Sequence, residues 1–170
     1  MATGASRRSR RSLDWLNFFV ADVQTGFGPF IVVYLTTQAW TEVEIGFALS
    51  LGTLTAMISQ MPAGALVDSL RDKRRIAVLA LVVIAISAIL LAAWPAHLPV
   101  YAARVLHGVS SCILNPSIAA ISLALVGRAA LGERLGRNAR YASLGGALSA
   151  GAMGLIGTYL STASVFWLTA

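Results

Sequence analysis

The sequence contains few charged residues for its length. Charged side chains make up 12% of the 170 residues and apolar ones 57%, whereas globular domains carry roughly 25% charged residues. A soluble domain of this size could not keep so much apolar surface away from water. Together with a mean hydropathy of +0.75, the low charge excludes an ordinary soluble enzyme or a disordered chain and indicates a membrane protein.

The sequence is equally poor in groups that catalyse reactions or bind metals. Cys112 is the single cysteine, so an internal disulfide and a cysteine-based zinc site are excluded within one chain. The two histidines, His97 and His107, do not form an H-x-x-x-H pair, and no nucleophile lies beside a base and a carboxylate. We therefore expect no metal site, no cofactor and no enzymatic activity.

Long uncharged segments alternate with short charged ones. About 20 residues suffice to cross the hydrocarbon core of a bilayer, and these segments lack the period-2 alternation of membrane strands. The sequence predicts an all-α polytopic membrane protein: a tail over residues 1–12, expected to be disordered, and a transmembrane half-bundle over 13–170. Five complete transmembrane helices are predicted at 14–38, 44–67, 75–95, 98–126 and 141–161, with the start of a sixth at 164–170.

The positive charges occupy every second connecting segment. Twelve of the thirteen lysines and arginines lie in the tail and in the loops 68–75 and 127–140. Because cytoplasmic loops carry an excess of Lys and Arg, we expect a cytoplasmic N-terminus in a bacterial-type inner membrane. The net charge of +6 then reflects membrane topology, with the lipid bilayer as partner and no nucleic acid.

The thirteenth basic residue, Arg104, lies inside the fourth predicted helix. An ionisable group at that depth usually faces a polar cavity or a partner, although an arginine can also snorkel to the outer headgroups. Asp22 lies inside the first helix, and His107 is one turn deeper than Arg104 on the same face. We expect these three residues to form a polar cluster that exchanges protons. Alternatively, Asp22 binds local backbone, serine or threonine groups.

Prolines and glycines mark two expected bends and one tight contact. Pro116 removes a backbone donor within the fourth helix, and Pro29, preceded by Gly26 and Gly28, does so in the first. Five glycines between 145 and 157 make the fifth helix narrow, which favours close helix packing.

Two short segments resemble a known family. Gly64-Ala65-Leu66-Val67-Asp68 followed by Lys73 resembles the signature between helices 2 and 3 of the major facilitator superfamily, roughly G-x-L-a-D-r-x-G-r-K. The stretch from Arg104 to Gly108 resembles the R-x-x-q-G element in helix 4 of its drug:proton antiporter branch, with His107 in place of the usual Gln.

The resemblance implies a transporter of two six-helix halves that works by alternating access. This chain would be the N-terminal half, ending within helix 6, with the C-terminal half as partner. Asp68 would help to latch the cytoplasmic side, and Arg104 would belong to the central cavity or the coupling network. The expected function is secondary active transport of a small solute, with proton coupling as one option. The alternative is a membrane scaffold that pairs with another helical chain.

Overall fold

The computed structural model describes residues 7–25 and 27–169, and these residues form a helical bundle. No strand occurs within those two ranges, so the expected all-α class is confirmed. The helices are α1 (Arg7–Thr25), α2 (Pro29–Thr37), α3 (Glu42–Ser69), α4 (Lys73–Ala93), α5 (His97–Val126), α6 (Leu131–Tyr159) and α7 (Thr162–Thr169).

Four segments of the described chain are long and apolar enough to cross a membrane: residues 7–37, α3, α4 and α5. Large apolar side chains cover the outside of α3, where Met61 is 85% and Ile58 70% exposed. A continuous apolar surface of this kind suits lipid contact and not water. α6, with 29 residues, is also long enough to span, but its arginines and glycines lower its hydropathy. The protein is a multi-pass integral membrane protein.

The first span is divided into α1 and α2. The N–H of Phe27 donates to the carbonyl of Gln24 at 3.2 Å, and the N–H of Gly28 donates to that of Thr25 at 3.1 Å, which forms a turn. Pro29 is the first residue of α2, where its missing N–H costs nothing. Two helices therefore replace the single one predicted over 14–38; Gly26 lies outside the described residues.

Pro116 has a different effect from Pro29. It lies inside α5, which continues as one helix from His97 to Val126. The proline removes one backbone donor without ending the element.

Two helices begin earlier than the sequence indicated. α1 starts at Arg7, within the tail expected to be disordered, and α6 starts at Leu131 instead of 141. The sequence alone assigns the arginines at the start of α6 to a loop. They are compatible with a helix because Arg134 forms an ion pair with Asp14 of α1. The other long helices, α3, α4 and α5, begin at most two residues before their predicted starts.

α5 is the central helix of one group and packs against both α3 and α4, whereas α1 packs mainly against α6. Ala103 and Leu114 of α5 and Ile84 of α4 are fully buried. Between α1 and α6, a Cβ at Gly145 would collide with the carbonyl oxygen of Phe18. The expected close packing of glycines is thus confirmed at Gly145, whereas added Cβ atoms at Gly151 and Gly154 would meet open space.

At the end of the bundle opposite the basic loops, side-chain contacts connect the start of α5 with the start of α3. The ring of His97, at the start of α5, stacks on Trp40 with centroids 4.4 Å apart, and its Nε2 lies 2.8 Å from Glu44 Oε1. Glu44 also accepts from the N–H of Thr41, while Thr41 Oγ1 accepts from the N–H of Glu44. This capping box stabilises the start of α3, and the contact between His97 and Glu44 links that start to α5.

Candidate functional site

Arg104 lies between three parts of the bundle. Only 9% of its surface is exposed. Its Nε donates to the carbonyl of Ala48 in α3 at 3.3 Å, and its Nη1 donates to the carbonyl of Phe27, between α1 and α2, at 3.4 Å. The side chain is therefore buried instead of snorkelling to the headgroups. Within the described ranges, no carboxylate forms an ion pair with it.

Gly52 gives Arg104 access to the backbone of α3. Helical side chains lean toward the N-terminus, so the residue four positions later normally covers a given carbonyl. Gly52 stands in that position relative to Ala48 and leaves its carbonyl open. A Cβ at Gly52 would lie 2.6 Å from Nη2 and 2.8 Å from Cζ of Arg104. Nothing in the sequence singled out this glycine, because its role depends on a residue in another helix.

His107 lies one turn beyond Arg104 on α5 and is also 9% exposed. Its Nε2 is 3.1 Å from Ser111 Oγ, and its ring meets Phe27 edge-on with centroids 3.9 Å apart. Its Nδ1 is buried without a hydrogen-bond partner among the described residues. Leaving such an atom unpaired costs about 1–3 kcal/mol, which makes Nδ1 a candidate for binding a solute or a proton.

Arg104 and His107 line one cavity of about 290 Å³. Gln24, Thr53 and Ser111 contribute further polar groups, and Gly28, Gly52 and Gly108 leave the wall without side chains. The volume is close to the lower limit of roughly 300–1,000 Å³ for small-molecule sites. Among the lining residues that the structure describes, Arg104 is the one with a permanent charge, so the cavity is positively charged.

Asp22 does not join this cluster in the described structure. It is half-buried, is absent from the cavity lining, and forms no ion pair with Arg104. The structure thus brings Arg104 and His107 together and leaves Asp22 apart, although Gln24, two residues later, lines the cavity. The proposed role of Asp22 in proton exchange stays a prediction.

The second predicted motif runs from the last turns of α3 to the first residue of α4. Lys73 Nζ donates to the carbonyls of Val67 and Asp68, the latter at 3.0 Å, so the lysine satisfies carbonyls at the C-terminus of α3. The Asp68 side chain is exposed and has no ion-pair partner in the described ranges. Gly64 has no neighbour within 4 Å of where its Cβ would lie. The last turn of α3 therefore presents the Asp68 carboxylate at the surface.

Comparison with known protein families identifies the family of this chain. The family model of the Major Facilitator Superfamily matches residues 14–170. The chain belongs to the major facilitator superfamily. The resemblance to the superfamily is thereby confirmed, whereas the resemblance of the stretch from Arg104 to Gly108 to the antiporter branch stays a prediction.

Curated relatives of this superfamily member are found in Mycobacterium tuberculosis. Two proteins named as uncharacterized MFS-type transporters, from strains CDC 1551 / Oshkosh and ATCC 25618 / H37Rv, are each 36% identical over 167 residues. The alignments cover 96% of this chain but 39% of each relative. The chain therefore spans about two fifths of their length.

The superfamily member has a second polar cluster that was not predicted from the sequence. Asp14 of α1 is 1% exposed and accepts from Arg134 Nη2 at 2.6 Å and from Arg137 Nη2 at 2.7 Å. Arg134 Nε donates to Asn138 Oδ1 at 2.8 Å, and Asn138 Nδ2 donates to Ser122 Oγ at 2.9 Å. We call these five residues the Asp14 cluster. It joins α1, α5 and α6.

Two features of the sequence are compatible with the Asp14 cluster but do not predict it. Asp14 is an acidic residue at the start of an apolar segment, and Arg134 and Asn138 are four residues apart, a spacing that places them on one helix face. Neither signal identifies the partner, because more than 100 residues separate Asp14 from Arg134.

Proposed function

We propose that the full-length protein is a secondary active transporter that carries a small solute across the bacterial cytoplasmic membrane. In this proposal the chain forms the N-terminal half and works with a C-terminal half by alternating access. The observation that carries it is the burial of Arg104 against a cavity of about 290 Å³. A charge inside a membrane protein is costly and usually serves a substrate or ion pathway. Superfamily membership and the names of the relatives support the same function.

The contacts of Arg104 suggest how solute binding is linked to movement. Its hydrogen bonds to Phe27 and Ala48, at 3.4 and 3.3 Å, are longer than the usual 2.9–3.0 Å for N–H···O bonds. A polar solute can replace these weak contacts at small cost. Because the Phe27 carbonyl lies between α1 and α2, losing that hydrogen bond frees the point where the first span changes direction.

Proton coupling is part of the proposal. Histidine is the side chain best suited to gain and lose a proton near neutral pH, and His107 has an unpaired Nδ1 beside the cavity. Asp22 is the second candidate, as a carboxylate within a membrane helix.

The exposed carboxylate of Asp68 has a separate role in the proposal. It lies at the predicted cytoplasmic end, where the C-terminal half would approach. There it would form contacts that hold the cytoplasmic side closed in one state of the cycle.

Uptake by the full-length protein in proteoliposomes tests the proposal. A panel of radiolabelled amino acids, sugars, organic acids and organic cations is supplied under an imposed proton gradient. We expect uptake of one class, and we expect Arg104→Ala to reduce it at least about tenfold, equivalent to roughly 1.4 kcal/mol. Arg140→Ala, which removes an exposed arginine of α6, is the matched control and should retain activity.

The same assay includes Asp22→Asn as a test of proton coupling. This variant should fold normally but lose the dependence of uptake on pH. Wild-type uptake by Arg104→Ala would remove that residue from the mechanism, and an unchanged pH profile in Asp22→Asn would remove Asp22. Absence of gradient-driven uptake across the whole panel would contradict a transport function.

A further inference from the structure

A second cavity lies at the end of the bundle where α1 and α6 begin. It is distinct from the Arg104 cavity and has a volume of about 360 Å³. Its lining is dominated by arginines and includes one acidic residue among those described, Glu133. We call it the basic cavity; its arginines are Arg7, Arg10, Arg11, Arg134 and Arg137.

The basic cavity carries more positive charge than its own carboxylates neutralise. Arg134 and Arg137 share the buried carboxylate of Asp14, and Glu133 supplies one further negative charge. Arg7, Arg10 and Arg11 have no ion-pair or hydrogen-bond acceptor for their side chains among the described residues. Five guanidinium groups against two carboxylates leave an excess of three positive charges around a concave site.

The arginines of α1 are held in place by the helix and its contacts. Positions 7, 10, 11 and 14 are three or four residues apart and therefore share a helix face, so these arginines lie on the same side as Asp14. The backbone carbonyl of Arg10 accepts a hydrogen bond from Arg134 Nη1 at 3.4 Å. The Asp14 cluster thus fixes the distance between the two walls of the basic cavity.

A cluster of guanidinium groups is suited to bind a phosphate group. Their planar donors form two parallel hydrogen bonds to phosphate oxygens, and a concave site with one sign of charge concentrates ions of the opposite sign. Basic pockets between the cytoplasmic ends of membrane helices bind anionic lipid headgroups for these reasons. Arg134, only 4% exposed, provides a fixed wall, while the exposed Arg7 and Arg11 are free to close over a ligand.

We propose that the basic cavity binds the phosphate group of an anionic ligand, either the headgroup of an anionic phospholipid or a soluble phosphate. The site does not depend on transport at the Arg104 cavity. Its function would be to stabilise the contact between α1 and α6 by neutralising the arginines that meet there.

Binding by the full-length protein in nonionic detergent tests this site. Isothermal titration calorimetry measures the binding of inorganic phosphate and of dihexanoylphosphatidylglycerol. Dihexanoylphosphatidylcholine, which has a phosphate but no net charge, is the comparator. The double variant Arg7→Gln/Arg11→Gln removes two arginines that make no contact with Asp14 and leaves the Asp14 cluster intact. Arg128→Gln/Arg140→Gln is the matched control, since both residues are exposed, lie in the same basic region and are absent from the cavity lining.

We expect saturable binding of phosphatidylglycerol or phosphate, weakened at least tenfold in Arg7→Gln/Arg11→Gln and by less than twofold in the control. Binding of phosphatidylglycerol alone identifies a lipid site, and binding of inorganic phosphate identifies a soluble ligand. The proposal is overturned if neither probe saturates, or if phosphatidylcholine binds as tightly as phosphatidylglycerol. It is also overturned if both double variants lose affinity equally, since diffuse surface charge would then explain the binding.

Discussion

At the scale of single residues, Arg104 depends on a glycine in another helix. The carbonyl that accepts from Arg104 Nε belongs to Ala48, and it is accessible because Gly52 has no side chain. At a second close approach of the same helices, a Cβ at Gly108 of α5 would lie 2.9 Å from the carbonyl oxygen of Gly52. The position of the Arg104 guanidinium group therefore depends on the absence of a side chain at Gly52 of α3.

Gly52→Ala tests this dependence. The added methyl group would lie within 3 Å of three guanidinium atoms, so Arg104 must move away from the Ala48 carbonyl. A hydrogen bond to a charged group contributes about 1.5–3 kcal/mol, so we expect a lower midpoint of thermal unfolding in the full-length protein together with reduced uptake. Gly46→Ala in the same helix is the control, because a Cβ there has no neighbour within 4 Å. Equal unfolding midpoints for the two variants would refute the packing argument.

At the scale of helices, the Asp14 cluster adds an ion-pair network to the apolar contacts between α1 and α6. Charged residues are tolerated in the first turns of α6 because one buried carboxylate serves two guanidinium groups. The cluster also explains why α6 starts at Leu131, within a segment whose charges are typical of a loop. Ion pairs between distant segments extend helices that hydropathy alone would shorten.

Asp14→Asn should therefore destabilise the bundle more than Glu133→Gln, which removes the same charge at a nearby position. Removing one partner of a buried pair leaves an uncompensated charge, here on Arg134, and costs about 3 kcal/mol. Glu133→Gln, at an exposed position on α6, should change stability by less than about 0.5 kcal/mol. Denaturant unfolding of the full-length protein, followed by circular dichroism, measures both. Similar losses in the two variants would mean that the Asp14 pair adds no stability of its own.

At the scale of the whole molecule, the two ends of the bundle differ in charge and in the side-chain contacts that connect their helices. Arginine-rich segments lie at the starts of α1 and α6 and between α3 and α4. The other end carries the contacts of Trp40, Glu44 and His97. The positive-inside rule predicts that the arginine-rich end faces the cytoplasm.

Cysteine labelling in intact cells measures this orientation. In a full-length background from which Cys112 and any further cysteine have been removed, Gln38→Cys and Arg71→Cys place single thiols at exposed positions on opposite ends. We expect a membrane-impermeant maleimide to label Gln38→Cys in intact cells and Arg71→Cys only after permeabilisation. The reverse pattern would overturn the predicted topology.

The bundle was predictable because bilayer insertion depends on local properties: the long apolar segments and their alternating loop charges are visible without any tertiary contact. Arg104 and His107 were identifiable for the same reason, since polar side chains stand out in an apolar helix. Gly52 and the Asp14 cluster were not, because their roles depend on residues about 50 or more positions away. The start of α6 was placed wrongly because a helix stabilised by a distant carboxylate has the same composition as a charged loop.

The division of the first span has a mechanical consequence. α1 packs mainly on α6, whereas α2 packs on α7 and α3, so the two pieces are attached to different neighbours. α2 is linked to α6 mainly through α7, so a shift of α6 would act on α1 directly and on α2 indirectly. Phe27 and Gly28 would absorb the difference, as hinge residues do. The first span then behaves as two helices connected by a hinge and not as one rigid helix. Arg104 donates a hydrogen bond to the Phe27 carbonyl at this hinge. A change in that hydrogen bond would therefore change the angle between α1 and α2.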